Sequence, residues 1–346
     1  MKGIAIISVV LGHCAPNHFI ESFVNQYHLA IFFFVSGYFF NPNYIVEKKN
    51  FIKRKVKSLY IPYVISGIIF MICHPLLEMI HIYDKPLLLN EYPSVLFDLC
   101  IRLTSAEPLM GAMWFCPALL FVSIYSLLIF YLTKKCSPKT ITIFFALIAF
   151  VGGGINYWFS SIKSPYCIWQ YLLITFIYFC GFKFKNIEVY FKDNMIKLLV
   201  IIIAVFIIIL TTRMEIFARL QPNHMRNENP FTIIFIALIG CIGIFNLSLI
   251  LGKQKIFKNI FGTIGNYSFS IMLLHFLSFK LVNFLICLFY GYDFNQISSF
   301  PCITTSDGWW CIYWAFGIFI PIILSYMYHH IKNNFLCYVR GYNHRL

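Results

Sequence analysis

The sequence predicts an all-α, polytopic membrane protein of about ten transmembrane helices with both termini on the cytoplasmic side. Three observations predict it. The 346 residues are 60% hydrophobic and 12% charged, with a mean hydropathy of +0.76. Soluble domains carry about 25% charged residues, so this chain has too little polar side chain to cover a globule in water. The apolar residues fall in runs of roughly 16 to 25, the length that about 30 Å of hydrocarbon requires of a helix rising about 1.5 Å per residue. Finally, the basic residues are distributed unevenly between alternate connecting segments, which defines an orientation.

Spans are expected near 2–20, 24–41, 58–80, 112–133, 140–158, 166–183, 196–212, 231–251, 263–289 and 309–328. With the N-terminus inside, 20 of the 27 Lys and Arg residues fall on cytoplasmic segments. Only Lys85, Arg102, Lys163, Arg213, Arg219 and Arg226 fall outside, together with ten of the 13 acidic residues. The net charge of +14 is therefore a topology signal. It calls for no nucleic-acid partner, because the cations are scattered over separate loops next to membrane lipid. No polar stretch is long enough for a soluble domain, so residues 1–346 read as one integral membrane domain.

Of the twelve cysteines, Cys73, Cys116, Cys167, Cys180, Cys241 and Cys287 sit inside apolar runs without CxxC spacing, as small packing residues do. A phosphate-binding glycine loop, HExxH and HxxxxD are all missing, and neither a metal nor a resident cofactor is expected.

Polar groups in hydrocarbon cost several kcal/mol unless paired or facing a cavity, which singles out His13, His28, Gln170, Asn246, His275 and Lys280. Each also has a bland role as hydrogen-bonded glue between helices. His13 stands out through Lys2. Eleven residues at about 100° each come to within roughly 20° of three full turns, so the two share a helix face about 16 Å apart. A cation near the inner surface and an imidazole near mid-membrane thus lie on one stripe, along which a donor with an anionic part and a reactive end can lie.

These residues resemble a known family. KGIAIISVVLGH, Lys2 to His13, is similar to the Arg/Lys-x10-His signature of the membrane-bound acyltransferase 3 family. YHLAIFFFVSGYFF, Tyr27 to Phe40, resembles its His-x-x-x-Phe-Phe-x-x-Ser-Gly stretch at His28, Phe32, Phe33, Ser36 and Gly37. FIKRKVKSLYIPY, Phe51 to Tyr63, is similar to its basic loop ending in Pro-Tyr. Trp114-Phe115 and GNYSFSIMLLH, Gly265 to His275, resemble its Trp-Phe and late His motifs. The chain departs from the pattern at Lys2, where arginine is commoner, and at Lys55 and Ser58, where the loop often has arginines. Lysine keeps the charge but loses the bidentate fork.

The resemblance implies a bacterial inner-membrane O-acetyltransferase that moves acetyl from cytoplasmic acetyl-CoA to a sugar hydroxyl of a surface or cell-wall glycan, or of a lipid-linked sugar. His13 is then the base, since imidazole titrates near neutrality. Lys2, Lys53, Arg54, Lys55 and Lys57 are the donor-binding candidates, although positive-inside loops are basic whatever they bind and anionic headgroups suit them equally. His28, Ser36, Trp114 and His275 are the supporting or acceptor-side candidates. Ser36 lacks a nucleophile elbow and Ser36-Gly37 also fits close helix packing. Trp114 suits a sugar face or an aromatic belt. His275, about mid-span like His13, is a candidate for the same site. The alternative from another class is a transporter of glycan or lipid-linked sugar without transferase activity.

Overall fold

The computed structural model describes residues 1–104, 107–159, 167–221, 225 and 228–343. It is 78% helix, with no strand among the described residues. Lys163, Arg226 and Arg345, counted in the charge partition above, lie outside them. Where spans over 2–20 and 24–41 are expected, three short helices stand: α1 (Lys2–His13), α2 (His18–Asn25) and α3 (His28–Tyr38). The single helix expected to residue 20 is thus corrected to one ending at His13. Pro16 has no N–H to donate and turns Ala15 away from helical backbone. Asn17 then restarts the helix, its side chain accepting from the Ile20 N–H at 3.0 Å.

Past this region, α4 (Lys48–Lys55) continues through a π turn at Val56–Tyr60 into α5 (Ile61–Met79), so the span expected over 58–80 is preceded by basic helix. A short α6 (Tyr92–Phe97) leads to α7 (Phe115–Leu132), α8 (Pro138–Trp158), α9 (Ile168–Phe184), α10 (Asn194–Arg213) and α11 (Pro230–Leu251). Three of these open on side-chain caps that the sequence spells out, Ser137 before Pro138, Asp193, and Asn229 before Pro230. The span expected over 263–289 is also corrected. It divides at Tyr267 into an amphipathic α12 (Lys255–Asn266) and the long α13 (Ser268–Tyr290), because Gly262, Gly265 and Asn266 weaken the helix just before the break. The last helix is α14 (Trp309–Asn343).

Among the described residues, seven helices are long and apolar enough to cross a membrane: Lys48–Met79, α7, α8, α10, α11, α13 and Trp309–Lys332 of α14. α1 and α9 are apolar but shorter.

The interior divides into two apolar clusters. One joins α3, α7, α8, α9 and α11. The other joins α1, α5, α13 and α14. α3 and α9 cross backbone to backbone: a Cβ on Gly37 would overlap the Tyr178 carbonyl, and one on Gly181 the Phe34 carbonyl. Gly37 thereby takes the packing role considered for Ser36-Gly37. Leu29, Phe32 and Met272 pack against both clusters, marking a seam.

Candidate active site

The seam is where the cavities lie. Lys2, Ile6, Val9 and His13 succeed one another on α1 at steps of four, three and four residues, one helical face, and all four side chains line cavity wall. Toward the Lys2 end is a cavity of about 420 Å³ bounded by Lys2, Ser36, Arg54, Lys55, Tyr178 and Ser268 with a largely apolar lining between them. Lys55 Nζ donates to Ser36 Oγ at 2.9 Å, and Arg54 donates to the Tyr44 hydroxyl at 3.1 Å. Toward the His13 end is a tight chamber of about 50 Å³, bounded by His13, His28, Trp114, Asn25 and Gln221. Ile6, Phe32, Phe115 and Met272 line both spaces, so the two share one apolar wall.

Two histidines, His13 and His28, line the chamber, and His275 stands behind the first. His13 stacks on His275 with ring centroids 5.3 Å apart and meets the edge of Phe276 at 4.7 Å. His275 donates from Nδ1 to the Ile271 carbonyl at 2.9 Å, and its buried Nε2 has no partner among the described residues. His28 donates from Nδ1 to the Val24 carbonyl at 2.6 Å. A neutral imidazole that donates from Nδ1 presents a lone pair at Nε2, so both rings are held in the accepting tautomer. Neither ring nitrogen of His13 has a hydrogen-bond partner among the described residues, and the half-buried ring faces the chamber. Such a ring is free to take a proton from a hydroxyl brought beside it.

The helix break explains how that ring comes to lie inside the bundle. Twelve residues at about 1.5 Å each make roughly 18 Å of helix, short of about 30 Å of hydrocarbon. A chain entering at Lys2 must therefore break within the apolar layer, which backbone tolerates only where protein or a cavity surrounds it. Here Cys14 is buried and the His13 carbonyl meets the Cys302 thiol at 3.8 Å.

Over residues 1–330 the sequence matches an acyltransferase-domain family, acyltransferase 3. The chain belongs to the acyltransferase 3 family. No curated protein and no solved structure matches it.

In this acyltransferase 3 protein the sequence candidates separate into three groups. His13, His28 and Trp114 share the chamber, with His275 stacked behind His13. Lys2, Ser36, Arg54 and Lys55 share the larger cavity. Lys53 and Lys57 are exposed and line neither space. Of the other polar residues singled out within spans, Gln170 donates to Asn156 at 2.6 Å, Asn246 to the Ile242 carbonyl at 2.9 Å, and Lys280 to the Ser298 and Ser299 carbonyls at 2.7 and 2.8 Å. Only the Gln170 bond joins two helices as interhelical glue; Lys280 ties α13 to the segment at 298–299, and the Asn246 bond stays within α11. Tyr178, Asn25 and Gln221 also line the cavities, from three different elements and with no local motif to mark them, and Met272 joins them from an unassigned position within the late His motif. Among the described residues no three His, Cys, Asp or Glu side chains gather as a set that could hold a metal.

Proposed function

We propose that this acyltransferase 3 protein is a bacterial inner-membrane O-acetyltransferase that takes acetyl from cytoplasmic acetyl-CoA and places it on a sugar hydroxyl of a surface or cell-wall glycan. The observation that carries the proposal is the shared apolar wall of Ile6, Phe32, Phe115 and Met272 between a cavity edged by cations and a chamber edged by histidines. A thioester donor has just this division, an anionic carrier at one end and a reactive carbonyl at the other.

In the proposed reaction, His13 accepts the proton of the sugar hydroxyl while the oxygen attacks the thioester carbonyl. The carbon–sulfur bond then breaks and the imidazolium returns the proton to the departing thiolate, leaving an O-acetyl sugar and free coenzyme A. His28 and His275, each tied at Nδ1, hold the surroundings of His13 in one tautomer. Lys2, Arg54 and Lys55 are the donor contacts, because charge-assisted hydrogen bonds to phosphate need cations at the cavity edge. Lys53 and Lys57 add field from outside it. Trp114 offers the acceptor sugar an aromatic face.

The membrane arrangement proposed with it has ten crossings and both termini cytoplasmic. The seven long helices supply seven, and the shorter α1, α3 and α9, together with the chain that continues them, supply the rest around the site. Cysteine-accessibility labelling should then place residues 47–57 and 252–259 on the inner side.

The test uses purified protein reconstituted with labelled acetyl-CoA and a glycan acceptor. Release of coenzyme A coupled to an alkali-labile acetyl sugar is the expected result. Lys2→Arg should keep activity and Lys2→Ala should weaken donor use. A protein that moves glycan across vesicles without consuming acetyl-CoA would instead establish the transporter reading.

A further inference from the structure

A second cleft, of about 460 Å³, opens beside the cation-edged cavity and shares Lys2 and Ser268 with it. Its remaining wall includes Lys258, Ser248, Asn266 and Gly262. The two spaces differ in character, the first mostly apolar and the second more polar than apolar. No acidic side chain lines the second, and the chain carries none from residue 229 to 292. The ammonium groups of Lys2 and Lys258 have no hydrogen-bond or ion-pair partner among the described residues, so their charge is uncompensated by protein. A Cβ placed on Gly262 would meet nothing within 4 Å, which leaves this stretch of α12 open to whatever enters.

We propose that this cleft is a phosphate-binding subsite for the phosphorylated nucleotide of an acyl-CoA whose pantetheine arm lies in the neighbouring apolar cavity. The proposal rests on the reading of the protein as an acyl-CoA-dependent transferase. Its chemistry is a match of unlike ends: an extended thiol arm suits an apolar space, whereas phosphates need uncompensated cations, hydroxyls and amides without competing carboxylates. Lys2 stands at the junction, where the arm joins the nucleotide. The phosphate of an anionic lipid headgroup offers the same contacts at the inner leaflet, so the test separates the two sources.

The measurement is equilibrium binding of coenzyme A and of S-acetylpantetheine, which has no nucleotide, to the full-length protein in nanodiscs of phosphatidylcholine. Gly262→Leu adds a side chain to the cleft wall at a point where a Cβ meets no protein atom within 4 Å, and Lys258→Gln removes one cation. Each is expected to raise the Kd for coenzyme A about tenfold while leaving that for S-acetylpantetheine unchanged, and Lys258→Arg should restore it. Unchanged coenzyme A affinity in both variants overturns the proposal, and so does an equal loss for both ligands. Loss of bound phosphatidylglycerol from Gly262→Leu in native mass spectra, with coenzyme A affinity intact, assigns the cleft to lipid and overturns it as well. Wild-type protein that binds neither thiol ligand would sink the acyl-CoA reading itself, a result distinct from all of these.

Discussion

Two buried histidine clusters lie in this molecule, and they are built in opposite ways. His74, near the end of α5, sits between two acceptors, the Glu107 carboxylate 3.1 Å from Nδ1 and the Lys85 carbonyl 2.9 Å from Nε2. Tyr83 stacks on its face at 4.3 Å. Both ring nitrogens are occupied, one face is covered, and the ring ties the segments around residues 85 and 107 to the end of the helix. His13 has the reverse surroundings, with stacking from His275, no hydrogen bond to either nitrogen among the described residues, and a cavity in front. A histidine whose nitrogens are both engaged holds structure together, whereas one fixed only by its faces keeps its nitrogens for a substrate. Residue type is the same and both rings sit among packed helices, so hydrogen-bond occupancy is what separates them.

Removing each ring in turn should have opposite effects. His13→Ala should lower acetyl transfer by about 10² to 10⁴, the usual cost of losing a general base, with little loss of folded protein. Wild-type product from a well-expressed variant would remove His13 from the mechanism. His74→Ala should do the converse, lowering resistance to thermal unfolding in detergent by about 3 kcal/mol because the buried Glu107 carboxylate and the Lys85 carbonyl both lose the ring that bridges them. Activity per folded molecule should change by less than about tenfold. A stable but inactive His74→Ala would show that the outer cluster takes part in the chemistry.

Smaller changes sharpen the distinction. His275→Phe keeps an aromatic ring against His13 but removes both nitrogens, and should cost about tenfold in turnover with stability nearly unchanged. A loss as large as that of His13→Ala would make His275 an equal partner in proton transfer. Ser36→Ala removes the acceptor that holds Lys55, worth about 0.5–1.5 kcal/mol, and should raise the apparent KM for acetyl-CoA roughly two- to tenfold while kcat stays. A fall in kcat alone would place Ser36 with the reacting atoms.

Part of this was legible in the chain. The eleven-residue interval from Lys2 to His13 selects one helix face, and that face lines both cavities. The basic run from Lys53 to Lys57 borders the larger cavity, yet only Arg54 and Lys55 line it, since helical turns point Lys53 and Lys57 elsewhere. The break after His13 was written as Pro16-Asn17, a stop followed by a cap, but the surrounding apolar run masks it to a reader counting hydrophobic length. His74 and Glu107 are 33 residues apart, with irregular chain between them, and nothing local announces their pairing.

Hydrophobic length, caps and a helical period act over a few turns, so the solvent, the helices and the stripe on the first of them are written in the chain itself. Which histidine lines the chamber with both nitrogens unbonded is a matter of tertiary packing. That depends on which carbonyls, rings and carboxylates helices far apart in the chain bring against each imidazole. It depends too on the seam, where two separately packed clusters leave room between them for a substrate.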